Sequence, residues 1–297
     1  MLKVLGKEEI WDKNVLFDSK AVIGEIRDID TNSSGTIGIT DSDGFVRLYD
    51  RRGNSRTVID GTMNESYGLY RPSGIHLCVH GLVWVTSMAN QVVSRFNLKG
   101  DHIDSWGGYG SEDGKFNDPL FITGHAGNRY IADNGNARIQ AYDKRNNKWL
   151  TFAKLSLPTV GIACDLIGNM YAIELGDKLL KLSSTGALLE QKIIFVSDDD
   201  LGLIESMTIA RRYGIMFLYG TEIGLKAYDL KSHQIIDGWD DEADIIKEIP
   251  YISGMSFDNV ESALYLVDPV NCRVVKLFTE RHSLERTRKK QYCYGGS

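Results

Sequence analysis

The feature that most constrains this chain is a short apolar stretch that recurs and ends each time in a small or acidic residue. It occupies 37–41, 83–87, 129–133, 169–174, 215–220 and 264–268. The end positions are 41, 87, 133, 174, 220 and 268, so the spacing is 46, 46, 41, 46 and 48 residues. A period in the mid-forties is the length of one supersecondary unit that cannot bury its apolar face alone. Six copies account for nearly all of the 297 residues.

Each unit has a second apolar stretch before this one, as at 74–79, 161–165 and 254–258, and an alternating stretch after it, as at 45–49, 138–142 and 273–278. Alternation of apolar and polar residues marks a half-buried strand. A fourth, more polar stretch follows, such as 102–106 or 234–239. The joints carry turn residues, for instance Gly53, Gly100 and Gly186. The chain has 30 glycines and only 5 prolines, which suits many tight turns between short strands. Four strands per unit, six units and no helical period predict an all-β fold, a six-bladed β-propeller of four-stranded antiparallel blades. The first two strands of each unit are the most apolar and are expected nearest the axis, with the fourth at the rim. The stretch 2–11 lies ahead of the first full unit at the spacing of an outermost strand, so the N-terminal strand is expected to close the last blade. The propeller is expected over residues 1–280, with a basic tail over 281–297 that carries Arg286, Arg288, Lys289 and Lys290.

The third unit carries Gly114-Lys-Phe-Asn-Asp-Pro119, Tyr130-Ile-Ala-Asp133 and Asn136-Ala-Arg-Ile139. These resemble the repeat of the NHL propellers, with its Gly-x-Phe-x-x-Pro, Tyr-x-Ala-Asp and Asn-x-Arg-Ile elements. The second and sixth units keep parts of the pattern, and the other three are placed by period. The resemblance covers about residues 24 to 280 and implies a fold, not an activity.

The formal net charge of −6 disfavours general binding to nucleic-acid backbones. The four cysteines show no metal spacing, and Cys78 and Cys164 fall in apolar strands as buried free thiols. The start of the sequence has no apolar signal-like region, and no run is long enough for a membrane helix. These features describe a soluble protein of a reducing, non-secreted compartment; a component of a viral particle is compatible with them, although no residue indicates it.

Enzymes on related propellers gather histidines and carboxylates from several blades. A zinc amidating-lyase type needs three histidines, and a streptogramin-lyase type needs a His-Glu-His set. Of the six histidines only His76 is suitably placed, on an innermost strand where its unit relatives are Thr123, Ala163, Thr208 and Ser256. Aligning the glycines at 74, 161 and 254 places Cys78, His125, Asp165 and Asp258 at one turn-capping position, with Asp30 as their relative in the first unit. The segment 28–35 reads as a polar hairpin turn, since it lacks the Gly and Glu of a calcium loop. Glu25 matches the metal-binding Glu of gluconolactonase-like propellers, without the Asn-Gly pair and Asp expected beside it. Arg27, Tyr70, Arg71 and Asn117 lie with Glu25 at strand entries on one face, where the charge is mixed. Glu174 breaks the repeat, as Arg27 and His76 do. Asn90, Asn136 and Asn271 recur at one unit position, and Asp41, Asp133 and Asp268 at another, as turn chemistry predicts. The expected function is a non-catalytic binding platform for a protein partner within an assembly, with no cofactor and no metal. The candidate binding residues are Glu25, Arg27, Tyr70, Arg71, His76, Asn117 and Glu174. An axial-site metal hydrolase or lyase and an RNA-binding propeller are the alternatives.

Overall fold

The structure is a computed structural model that describes residues 4–11 (backbone), 25–62, 68–195, 203–236 and 248–279. Blade 1 comprises β2 (Ile26–Thr31), β3 (Thr36–Asp41), β4 (Phe45–Asp50) and β5 (Ser55–Asp60). Blade 2 comprises β6 (Pro72–Leu77), β7 (Leu82–Ser87), β8 (Val92–Asn97) and β9 (His102–Gly107). Blade 3 holds β10 (Pro119–His125), β11 (Asn128–Asp133), β12 (Arg138–Asp143) and β13 (Lys148–Lys154). Blade 4 holds β14 (Thr159–Cys164), β15 (Met170–Glu174), β16 (Lys178–Leu182) and β17 (Leu188–Ile193). Blade 5 is β18 (Ser206–Ala210), β19 (Ile215–Gly220), β20 (Gly224–Asp229) and β21 (Gln234–Ile236). Blade 6 is β22 (Gly254–Asp258), β23 (Ala263–Asp268) and β24 (Arg273–Thr279), with β1 (Val4–Trp11) as its fourth strand. All six sheets are antiparallel and four-stranded, and the second strand of every blade ends at the residue that the repeat predicted.

The apolar core is divided into six parts, each lying between two neighbouring blades. Ile37, Ile39 and Tyr49 of blade 1 pack against Tyr265, Val267 and Val274 of blade 6. Val46, Leu48 and Ile59 face Ile75, Leu77 and Val85 of blade 2. Trp84 of blade 2 meets Trp149 and Tyr142 of blade 3 edge-on and stacks on Trp106 of its own blade. The remaining three interfaces are built alike. A twisted four-stranded sheet has two apolar faces, and a closed ring is the arrangement in which every face finds a neighbour.

Ring closure falls between blades 6 and 1 and is held in several ways. β1 pairs antiparallel with β24, from Trp11 opposite Val274 to Glu8 opposite Leu277, so the N-terminal strand does close the last blade. Arg51 Nε donates to Asp258 Oδ2 at 2.6 Å across the junction, and Lys276 Nζ donates to the Arg51 carbonyl at 3.1 Å. The Thr31 N–H donates to Ser256 Oγ at 3.1 Å.

The innermost strands β2, β6, β10, β14, β18 and β22 surround the axis. They all run from one face of the disc, here the entry face, to the other, the exit face. Second strands return, so their ends lie on the entry face. Cys78 and Cys164 are buried and free, as expected, and Cys272 is half-buried. Among the described residues no helix is long and apolar enough to cross a membrane. The basic stretch after residue 280 lies outside the described residues.

Candidate functional site at the axial mouth

Strand register shows which side chains share a level around the axis. Asp30 pairs with Gly38, His76 with Trp84, Thr123 with Tyr130, Ala163 with Tyr171, Thr208 with Phe217 and Ser256 with Tyr265. These six inner residues therefore occupy one layer. Asp30 is the blade-1 relative of His76, and the turn-capping relative of Cys78, Asp165 and Asp258 is Asn32. This corrects the expected alignment by two residues; the inner glycine that anchors blades 2, 4 and 6 is replaced in blade 1 by Asp28. The turn role itself holds: Asp165 Oδ1 accepts from the N–H of Ile167 and Asn169, and Asp258 Oδ1 from that of Val260. Asp28 and Asp30 belong to β2, not to the hairpin turn that follows it.

Three neighbours in the layer are linked. His76 Nδ1 lies 3.0 Å from Asp30 Oδ2, and Ser256 Oγ donates to Asp30 Oδ1 at 3.2 Å. The Leu77 N–H also donates to Asp30 Oδ2, at 2.8 Å. One layer towards the entry face, Asp28 Oδ2 accepts from the Ile75 N–H at 3.0 Å. Glycine 254 lies against this carboxyl, where a Cβ would come within 2.8 Å of Asp28 Oδ1.

Above the layer the channel widens into a cavity of about 570 Å³ that opens on the exit face. Its wall includes Asp30, His76, Cys78, His125, Arg129, Lys144, Arg211 and Asp258. Arg129 is the second residue of β11 and is only 6% exposed. The equivalent residues are Ile37, Val83, Met170, Met216 and Leu264, so a guanidinium stands where the repeat has an apolar side chain. Its Nη1 donates to the Asn128 carbonyl, while Nε has no hydrogen-bond partner among the described residues. Its ring neighbour is Trp84, 6.0 Å below. Arg211 comes from the hairpin after β18 and reaches past blade 4, donating from Nη2 to the Gly124 carbonyl at 2.9 Å. Gly124 admits this crowding: a Cβ there would lie 2.5 Å from His76 Nε2 and 2.9 Å from Arg129 Nη1.

Burial governs the electrostatics. It pushes the Asp28 carboxyl up to about 7, against the Ile75 and Ile29 backbone donors, and the Asp30 charge adds to the rise. Burial holds His76 below its ordinary value despite Asp30, and Arg129 and Arg211 add to the depression. It also lowers Arg129, opposed by Cys78 and Asp30, with Arg211 again adding to the depression. Burial thus favours the neutral imidazole of His76, and its Nδ1 is held by Asp30.

The structure separates the candidate residues into two groups. His76 lines the axial cavity. Glu25, Arg27, Tyr70, Arg71, Asn117 and Glu174 all lie towards the entry face. Glu174 is fully buried; Oε1 accepts from the Ser156 N–H at 2.5 Å and the Leu157 N–H at 3.2 Å, and Oε2 faces Lys178 Nζ at 3.0 Å. It fastens the blade 3–4 connection. The Asn117 N–H donates to Asp133 Oδ1 at 2.7 Å, and its side chain fills the space left by Gly135. Arg27 pairs with exposed Glu25 at 3.4 Å. Tyr70 and Arg71 are exposed, and their carbonyls accept from Ala89 and Met88. Sequence reasoning missed Asp28, Asp30, Arg129 and Arg211. The signal for Arg129 was a charge at an apolar repeat position. Arg211 gave none, because its reach depends on the closed ring. Among the described residues no three His, Cys, Asp or Glu side chains converge to hold a metal ion.

No protein-family model matches the sequence, and no curated protein is significantly similar to it. Among solved structures, the chain is similar to one titled "Streptogramin B lyase structure", with a TM-score of 0.58 and 13% identity over 92% of this chain and 98% of that one. It is one of 1563 solved chains that match significantly, so the likeness shows a propeller fold and not a chemistry.

Proposed function

We propose that this protein is a non-catalytic binding propeller, NHL-like in its repeat, that docks a protein partner over its exit face as a subunit of an assembly. One observation carries the reading: the axial cavity opens there and is ringed by hairpin tips that expose apolar side chains. Val79, Leu166, Ile167 and Val260 are between 47% and 79% exposed, on blades 2, 4 and 6. Turn tips favour polar residues, and apolar side chains around a concavity mark contact surfaces. The entry face also exposes Tyr70, Leu157 and Val270, around carboxylates already bound to their own blades. The test is affinity capture from the native source with Val79→Asp/Leu166→Asp and with Tyr70→Asp/Leu157→Asp. Loss of the captured partner in the first variant supports the reading; loss only in the second overturns it.

A second reading, an axial-site lyase or hydrolase, draws on His76 and Asp30, whose 3.0 Å contact orients an imidazole towards a cavity. The lyase title of the similar structure points the same way. Equilibrium dialysis against Mg²⁺ and Zn²⁺ tests it: a stoichiometric ion that His76→Gln abolishes would favour the enzyme over the platform.

A further inference from the structure

Among the described residues, two arginines share the axial cavity without a carboxylate of their own. Three other arginines, at the start of β12, at the start of β24 and in the hairpin after β4, are each matched by a carboxylate. Arg138 meets Asp133 at 2.7 Å, Arg273 meets Asp268 at 2.7 Å, and Arg51 meets Asp258 at 2.6 Å. Arg129 is only 6% exposed; its Nη1 donates to the Asn128 carbonyl, Cys78 and the Trp84 ring lie against the guanidinium, and its Nε has no acceptor among the described residues. Arg211 spends one N–H on the Gly124 carbonyl. Asp30, the carboxylate that acts on Arg129, already takes His76, Ser256 and the Leu77 N–H. Asp258 is held by Arg51, and Lys144 adds a third cation to the wall. Two like charges on one cavity wall repel, and an anion between them relieves that repulsion.

We propose that the axial mouth binds a small anionic molecule through an oxyanion group, carboxylate or phosphate, held between the guanidinium forks of Arg129 and Arg211. Fork geometry suits two oxygens of one group, which a lysine ammonium does not offer. The His76 Nε2 edge lies beside the same space, with Nδ1 fixed by Asp30. The volume of about 570 Å³ admits a molecule far larger than one phosphate ion, so the oxyanion is the anchor of a metabolite-sized ligand. The proposal rests on the mouth alone and is independent of the protein-partner reading.

Isothermal titration calorimetry on the full chain, at constant ionic strength set with chloride, tests it. The probes are inorganic phosphate and citrate, which separate the two sources of the oxyanion. The expected result is one saturable site for at least one probe, weakened about tenfold or more by Arg211→Gln and by Arg129→Gln. Arg212→Gln, next to Arg211 but outside the cavity wall, should bind as the wild type does. Arg129 is buried and its replacement can unfold the blade, so thermal melting accompanies each variant and Arg211→Gln carries the test alone if needed. Absence of saturable heat from both probes, or unchanged affinity in Arg211→Gln, overturns the proposal. Binding only of an RNA oligonucleotide, falling steeply with salt, overturns it in favour of a polyanion surface. Partner loss in the exit-face variants without anion binding would sink this proposal and leave the platform reading standing.

Discussion

The two ends of β11 handle charge in opposite ways. At the entry end, Asp133 is fully buried and its carboxylate meets four donors: the Asn117 N–H, Arg138 Nε, Asn136 Nδ2 and Gln140 Nε2. At the exit end, four residues earlier and roughly 13 Å away at the usual strand rise, Arg129 is nearly as buried and meets no acid. The entry arrangement recurs. Asp268 accepts from Arg273 Nε and Asn271 Nδ2, and Glu174 faces Lys178. The exit arrangement occurs once among the described residues. A polar group repeated from blade to blade closes a turn and saturates itself within its own sheet. A polar group that appears once, buried and unsaturated, has no structural account within the ring. The comparison separates scaffold from site more sharply than burial or charge alone.

The largest expected effect lies at the entry end. Asp133→Ala removes the acceptor of four donors and leaves Arg138 buried without its carboxylate. Breaking such a pair costs about 3–5 kcal/mol, read from urea unfolding. The comparison breaks if this variant loses anion binding while remaining folded, because the entry network would then reach the mouth. At the exit end, Gly124→Ala places a methyl group against His76 Nε2 and Arg129 Nη1. Overpacking of this kind costs about 1–3 kcal/mol. It should also narrow the mouth, so calorimetry should show weaker anion binding. A variant as stable and as competent as the wild type would mean that the His76 and Arg129 side chains are not fixed there.

These two residues also mark what the sequence could and could not reveal. The strand ends at Asp133 and Asp268 were legible because the turn that follows repeats every forty-odd residues, and local spacing encodes it. Arg138 and Asn136 were legible for the same reason. The six-bladed ring followed from counting these ends. The axial layer was not legible in the same way. Whether Asp30 faces His76 depends on strand register in two blades, and a shift of two residues, introduced at Asp28, moved Asp30 into the wrong row. Arg211 crosses a whole blade to Gly124, a contact that exists only once the ring has closed. Of the entry-face candidates, Arg27 and Glu174 were chosen as departures from the repeat and the others for their place at strand entries. Glu174 is such a departure and is nonetheless structural, because an acid paired with Lys178 does for blade 4 what Asp133 and Arg138 do for blade 3.

Asp28 sharpens the comparison through pH. Burial pushes its carboxyl from the ordinary 3.8 up to about 7. A raised carboxyl favours the folded state fully below about pH 4, where both states are protonated. That advantage is lost as pH rises through about 7, since the folded protein must then hold a charge in a poorly hydrated channel. Asp28→Asn keeps an oxygen for the Ile75 N–H and removes the charge. It should therefore stabilise the protein at pH 8 by roughly 1–3 kcal/mol and leave it nearly unchanged at pH 4. Thermal melting across that window decides the matter. A parallel pH dependence in both proteins would show that Asp28 ionises freely, and that the channel is wetter than its packing against Gly254 implies.

The smallest effect is expected from the entry-face pair that the sequence nominated. Arg27 and Glu25 face each other at 3.4 Å, and Glu25 is exposed. Such a pair gains little Coulomb energy in water and holds two long side chains in one geometry, so Glu25→Ala should change stability by less than about 0.5 kcal/mol. It should leave anion binding at the mouth unchanged, since the residue lies on the opposite face of the disc. The measurement is the pair of unfolding and calorimetric titrations already used for Asp133→Ala. A large loss of anion affinity in Glu25→Ala, with stability intact, would show that the two faces communicate through the channel. Asp28 is the side chain placed to carry that coupling, because it stands between the entry pair and the Asp30–His76 layer on the same strand as Arg27 and Asp30. The double variant Glu25→Ala/Asp28→Asn would then restore the affinity if the coupling is electrostatic, and would not if it is a backbone shift in β2.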